Sequence, residues 1–226
     1  MSQKVYIYKA FERFWHWMQS LLIIFLAATG FEIHGVFKFF GFENAVTYHK
    51  IAAYAFIILI AFAIFWHFTT GEWKQYIPTL KNIRAQLNYY LFGIFKNAPH
   101  PVKKTVLSKL NPLQKLVYFG LKILVIPGLV LTGLLYMFYR YPQNQNIQSI
   151  NINSLEVIGV LHTLAAILLV AFLITHLYLI TTGTTPTSNL KAMITGYEDI
   201  HNDEKLPAVE NEIIEDENIE LNNNNI

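Results

Sequence analysis

The chain contains no cysteine among its 226 residues, and only 14% of those residues are charged. The missing thiols exclude disulfides, thiolate-bound iron–sulfur clusters, c-type haem attachment and cysteine-based zinc sites. The scarcity of charge excludes an ordinary soluble surface, because 54% of the chain is hydrophobic and the mean hydropathy is +0.33. That balance points to lipid as the solvent. Formal net charge is only +2, and no nucleic-acid partner is expected. A redox or metal centre would have to hang on ligands other than sulfur, and eight histidines are available.

Four long apolar runs are present, at about residues 14–33, 46–68, 116–138 and 155–180. Each reaches the ~20 residues that a helix needs to cross a ~30 Å hydrocarbon core. Trp15, His16 and Trp17 open the first run as an interfacial aromatic belt would, and no small-x-small cleavage site follows it, so it reads as a retained helix rather than a signal peptide. The expected fold is an all-α membrane protein, a four-helix transmembrane bundle occupying residues 1–196.

Basic residues set the expected orientation. Lys4, Lys9 and Arg13 precede the first span, and Lys74, Lys81, Arg84, Lys96, Lys103, Lys104 and Lys109 lie between the second and third. The other two loops carry only Lys38, Lys50 and Arg140. The positive-inside rule then places both termini and the long central loop in the cytoplasm. Leu80, Ile83, Leu87, Leu91 and Ile94 repeat at helical spacing in that loop, as a surface helix or a helix packed on a partner would. Residues 197–226 are acidic and asparagine-rich and lack the apolar content for a core, so a disordered cytoplasmic tail is expected.

The spans contain an internal repeat. His49-Lys-Ile-Ala-Ala in the second matches His162-Thr-Leu-Ala-Ala in the fourth, and both end in Thr-Thr-Gly, at residues 69–71 and 181–183. The first and third spans share Thr29-Gly30 and Thr132-Gly133. Two helical hairpins related by an approximate twofold axis would produce this pattern.

His16, His49, His67, His162 and His176 lie within or at the ends of spans, where an ionisable side chain is costly and marks a functional site by default. His162 and His176 are fourteen residues apart, so at ~100° and ~1.5 Å per residue they share one helix face about 21 Å apart. Two centres stacked across one bilayer fit that spacing, and one shared ion does not. Zinc would need third and fourth ligands inside the membrane. Bis-imidazole haem needs one histidine from each of two facing helices. The repeat pairs His49 with His162 at an outer haem. For an inner haem, His176 has two candidate partners. His67 lies about 27 Å beyond His49, roughly one turn too deep, so His16 is the better choice and His67 the reserve. His34, His100 and His201 receive no role.

With these positions in hand, the sequence resembles the dihaem cytochrome b subunits of bacterial respiratory complexes. These include the gamma subunit of membrane-bound formate dehydrogenase, the cytochrome b of nickel–iron hydrogenases and thiosulfate-reductase-type cytochrome b proteins. The resemblance covers about residues 5–185. It rests on Arg13-Phe-Trp-His16-Trp17, the early histidine of the second span and the fourteen-residue histidine spacing of the fourth. It implies two haem b groups ligated by His49/His162 and His16/His176. Asn111-Pro-Leu-Gln114-Lys115 resembles a formate dehydrogenase segment that lines a quinone pocket, here with Pro-Leu where that subunit has small residues. Asn111, Gln114 and Lys115, with His67 as a further candidate, would then meet menaquinone or ubiquinone. The same residues also fit a helix start, with Asn111 as N-cap and Pro112 in the first turn. Lys122 would reach the interface or a haem propionate.

The implied protein is an electron-carrying anchor of a respiratory oxidoreductase in the bacterial inner membrane. It would link the quinone pool to an iron–sulfur or other redox subunit on the periplasmic side. A free-standing quinol-oxidising cytochrome b is the alternative within the class. A haem-free scaffold or transporter would call for an acidic residue inside the bilayer, and Glu32 and Glu156 lie only at span ends. The Thr69-Thr-Gly-Glu-Trp-Lys74 stretch leans toward the thiosulfate-reductase branch.

Overall fold

The computed structural model describes residues 2–79, 82–93, 96, 109–138, 152–183 and 185–201. Four helices are long and apolar enough to cross a membrane: α1 (Ala10–Ile33), α2 (Phe42–Thr70), a third spanning Pro112–Phe138 and a fourth spanning Ile152–Ile180. Between the second and third lies the short α3 (Ile83–Asn88), so the two later spans are α4 and α5. A further short helix, α6 (Ser188–Thr195), follows α5. Among the described residues the bundle is all-α apart from one small sheet.

Strands β1 (Ser2–Tyr6) and β2 (Tyr197–His201) pair antiparallel, with Tyr6 opposite Tyr197, and tie the segment before α1 to the segment after α6. Residues 197–201 were expected in a disordered tail and are instead ordered as β2. The Tyr6 and Tyr197 rings lie 5.1 Å apart, and Gly196 in the left-handed region (φ 89°) turns the chain into the strand. Ile7 is buried beside this sheet. The tail beyond residue 201 lies outside the described residues, as do His100, Lys103, Lys104 and Arg140. In the central loop, Leu80 and Ile94 also lie outside them. The stretch between is helical only as α3 and the π-turn Tyr89–Gly93.

Each boundary has a local cause. Gly71 (φ 74°) stops α2 with a left-handed residue and leads into a 3-10 turn, Glu72–Tyr76. Asn111 opens α4 by accepting from the Gln114 amide nitrogen at 2.8 Å, and Gln114 Oε1 accepts from Asn111 N at 3.0 Å, a capping box with Pro112 in the first turn. Within α4, Leu121–Val125 is a π-helical segment in which Ile126 N donates to Leu121 O. Pro127 lies just beyond. It has no N–H to give residue 123, and its ring would crowd that carbonyl, so the widened turn relieves both problems. At the end of α1, buried Glu32 gathers the N–H groups of Phe39, Phe40 and Gly41 at 2.7–2.8 Å, which shapes the α1–α2 loop.

α1 packs on α2 and α4 on α5, giving the two hairpins. They meet across a central layer of Ile23, Phe56 and Leu169, backed by residues such as Leu121, Val125 and Phe172. Most other large apolar side chains point outward, for example Leu21, Phe62, Leu124 and Ile174. In a soluble protein that surface would aggregate. Facing acyl chains, it carries no such penalty.

At the terminal face an ionic knot joins three segments. Lys109, almost buried, reaches Glu12 at 2.7 Å and Glu72 at 3.3 Å, and Glu72 also meets the half-exposed Lys9 at 2.7 Å. Burial works to raise the Glu72 carboxyl, but Lys9 and Lys109 outweigh it and hold the group below its ordinary value. A depressed carboxylate contributes stability above its unfolded pKa and loses it as the pH falls through the folded value. Glu72→Gln should therefore lower the Tm at neutral pH by a few degrees, on the order of 1–2 kcal/mol. The deficit should begin to shrink as the pH falls below about 4.3, the unfolded glutamate value, and vanish once it passes the lower folded value. Thermal unfolding of the purified protein at several pH values measures both.

Candidate functional site

Five of the histidines noted from sequence face the bundle interior, four of them in two pairs. His49 of α2 and His162 of α5 bring their ring centroids to 6.4 Å. His16 of α1 and His176 of α5 reach 6.2 Å. Each pair joins one hairpin to the other. The first lies toward the interhelical loops and the second toward the termini. Leu169, seven residues from both His162 and His176, sits with Ile23 and Phe56 in the apolar layer between them.

The loop-side pair is braced from within each hairpin. Thr29 Oγ1 lies 2.9 Å from His49 Nδ1 and donates back to the carbonyl of Phe25 at 2.9 Å. Thr132 Oγ1 lies 3.0 Å from His162 Nδ1 and donates to Gly128 O at 2.6 Å. A hydroxyl has one proton, and the helix carbonyl takes it. With that proton on the carbonyl, the contact pairs a protonated Nδ1 with the threonine oxygen and leaves Nε2 as the lone-pair nitrogen. The neighbouring glycines make room: a Cβ on Gly133 would lie 3.2 Å from His162 Cε1, and one on Gly30 would lie 3.6 Å from His49 Cε1. The repeated Thr-Gly of the sequence is thus a seat for a histidine. Its repetition was legible, but its purpose was not, because the histidine it serves is on the other helix.

The terminus-side pair is built differently. His16 Nδ1 is buried with no hydrogen-bond partner among the described residues. His176 stacks on Phe172 (5.5 Å) and meets the Tyr118 ring edge (6.5 Å).

His67 is not brought to either pair. Its Nδ1 lies 2.6 Å from Ala63 O and its Nε2 3.4 Å from the Tyr76 hydroxyl, and Trp15 packs edge-on against it at 5.5 Å. Lys122, from the π-segment of α4, places its ammonium 3.1 Å from the Tyr76 ring centroid and 5.2 Å from that of Trp15, a cation–π contact. Burial raises the Tyr76 hydroxyl above its usual range, so it stays protonated and can donate. The side chains of Asn111 and Gln114 each accept from the other's backbone N–H in the capping box, and Asn111 Nδ2 also donates to the Tyr90 hydroxyl at 3.1 Å. Lys115 stands one residue further along α4.

Among the described residues, no group of three or more His, Cys, Asp or Glu gathers as a metal ion would require. Paired imidazoles suit instead a metal whose other ligands come from a macrocycle. The sequence matches the family model for prokaryotic cytochrome b561 over residues 7–196. The chain belongs to that family. It is also 31% identical over 208 residues to the candidate cytochrome YdhU of Escherichia coli (strain K12), covering 87% of this chain and 75% of the relative. This membrane cytochrome b is therefore a multi-pass protein of the bacterial inner membrane that binds haem b and works in electron transfer.

Because both nitrogens of His67 are engaged away from the pairs, His67→Ala should keep the wild-type haem-to-protein ratio. His176→Ala should reduce it. Pyridine haemochrome assays against protein concentration compare the two.

Proposed function

We propose that this cytochrome is a dihaem anchor subunit, carrying electrons across the membrane between the quinone pool and a partner redox subunit. The observation that carries the reading is the pair of ring separations, 6.4 and 6.2 Å. A metal–imidazole bond of about 2.0 Å on either side of an iron puts coaxial ring centroids roughly 6.3 Å apart. The donor set fits as well. The loop-side imidazoles hold Nδ1–H against threonine and offer Nε2, and glycine beside each ring leaves clearance. His49/His162 would hold one haem and His16/His176 the other.

Held between His49 and His162 or between His16 and His176, haem b would supply reversible one-electron iron chemistry suited to electron transfer. The chain does the rest. His162 and His176 place the two sites about 21 Å apart along one helix, and Ile23, Phe56 and Leu169 keep water out of the space between them. With the basic loop inside, the terminus-side pair lies at the cytoplasmic face and the loop-side pair toward the periplasm. A partner redox subunit would dock at the loop side, and quinone would approach the terminus side. Asn111 and Gln114 support α4 through the capping box, so the groups best placed to meet a quinone there are Lys115 and the Tyr76–Lys122–His67 corner.

Reduced-minus-oxidised spectra of the purified protein should show b-type haem at about two per chain. His162→Ala should remove one haem and leave the other. Absence of haem in the wild type would overturn the function, and loss of both haems from His162→Ala would overturn the pairing.

A further inference from the structure

The two histidine pairs differ in what their outer nitrogens meet. Both Nδ1 atoms of the loop-side pair face a threonine hydroxyl, at 2.9 and 3.0 Å, whereas His16 Nδ1 of the terminus-side pair is buried without a partner among the described residues. Thr29 is fully buried and Thr132 nearly so, so water does not compete for either contact. Each hydroxyl is fixed as an acceptor, because its proton is spent on the carbonyl four residues back. The twofold repeat places the same device on both hairpins.

An acceptor on the far nitrogen of a ligating imidazole fixes its tautomer, holds its ring in place and makes it a stronger electron donor to the metal. Stronger donation favours ferric over ferrous iron and lowers the reduction potential. We propose that Thr29 and Thr132 are positioning residues that present Nε2 of His49 and His162 to the loop-side haem and selectively lower that haem's potential. The inference rests on the dihaem reading given above. Its consequence is a built-in difference between the two sites, set by two hydroxyls outside the ligand set.

The test is a potentiometric titration of the full-length purified protein, with the loop-side haem assigned by its absence from His162→Ala. Thr29→Val and Thr132→Val preserve side-chain shape but remove the hydroxyl acceptor, leaving His49 and His162 only the backbone carbonyls of Leu26 and Leu129. Each should raise the midpoint potential of the loop-side haem and leave the other unchanged, and the double variant should raise it further. Electron paramagnetic resonance of the oxidised loop-side haem should show its g-values shifted in both. Thr29→Ser and Thr132→Ser should restore wild-type behaviour. Selective loss of the loop-side haem from a valine variant, with retention in the serine variant, also supports the role, since only the hydroxyl differs in kind. Unchanged potentials at full haem content, equal shifts in both haems, or haem loss from the serine variants as well would overturn it. A wild-type protein without haem would overturn this inference and the dihaem reading together, and is recognised before any variant is compared.

Discussion

The two hairpins meet across an apolar layer with imidazole facing imidazole on either side of it. In lipid there is no hydrophobic drive to bring one apolar helix against another, so association depends on close packing, small residues and polar contacts. Here the contacts of that kind follow a division of labour. Threonine-to-histidine hydrogen bonds run within a hairpin, from α1 to α2 and from α4 to α5. Histidine-to-histidine approaches run between hairpins, from α2 to α5 and from α1 to α5. α5 contributes to both pairs, so its fourteen-residue spacing dictates the depth of each site, and the other helices must place their histidines to match.

The rest of the fold serves that alignment. The apolar layer of Ile23, Phe56 and Leu169 fills the middle of the bundle at the level where α5 turns between its two histidines. At the terminal face the fold becomes polar and interlocked. Lys109 sits between Glu12 and Glu72, Arg13 donates to the Ile194 carbonyl, Trp17 to the Met193 carbonyl, and β1 pairs with β2. These contacts fix the start of α1, and with it His16, against the end of α5 and its continuation. A helix terminus left free would fray, and His16 is only six residues inside α1.

Much of this was legible. The four spans follow from length and hydropathy, since a bilayer demands about 20 apolar residues from each helix. Depth along the helix argued against His67 as the neighbour of His176 and the resemblance pointed to His16; the rings of His16 and His176 do approach each other, and His67 engages Ala63 and Tyr76 instead. The capping box at Asn111 was readable as a helix start from its spacing. Less legible was β2, because Tyr197–His201 resembles the acidic tail that follows it, and its order comes from pairing with a strand nearly two hundred residues away. The π-segment of α4 was signalled only by Pro127, and where it sends Lys122 depends on Trp15 and Tyr76 from other elements.

The sequence by itself determined the solvent, the number of spans and the ladder of histidines, because these depend on local periodicity and on the cost of polar groups in hydrocarbon. It also carried the Thr-Gly repeat, but as a pattern without a purpose. Only the tertiary structure decided that Thr29 faces His49 and Thr132 faces His162, that His16 Nδ1 meets no acceptor among the described residues, and that His67 turns away from both pairs. The physical reason is that a hydrogen bond is settled over tenths of an ångström between side chains on different helices. Spacing along one helix fixes depth and face, but it leaves open which neighbour stands opposite.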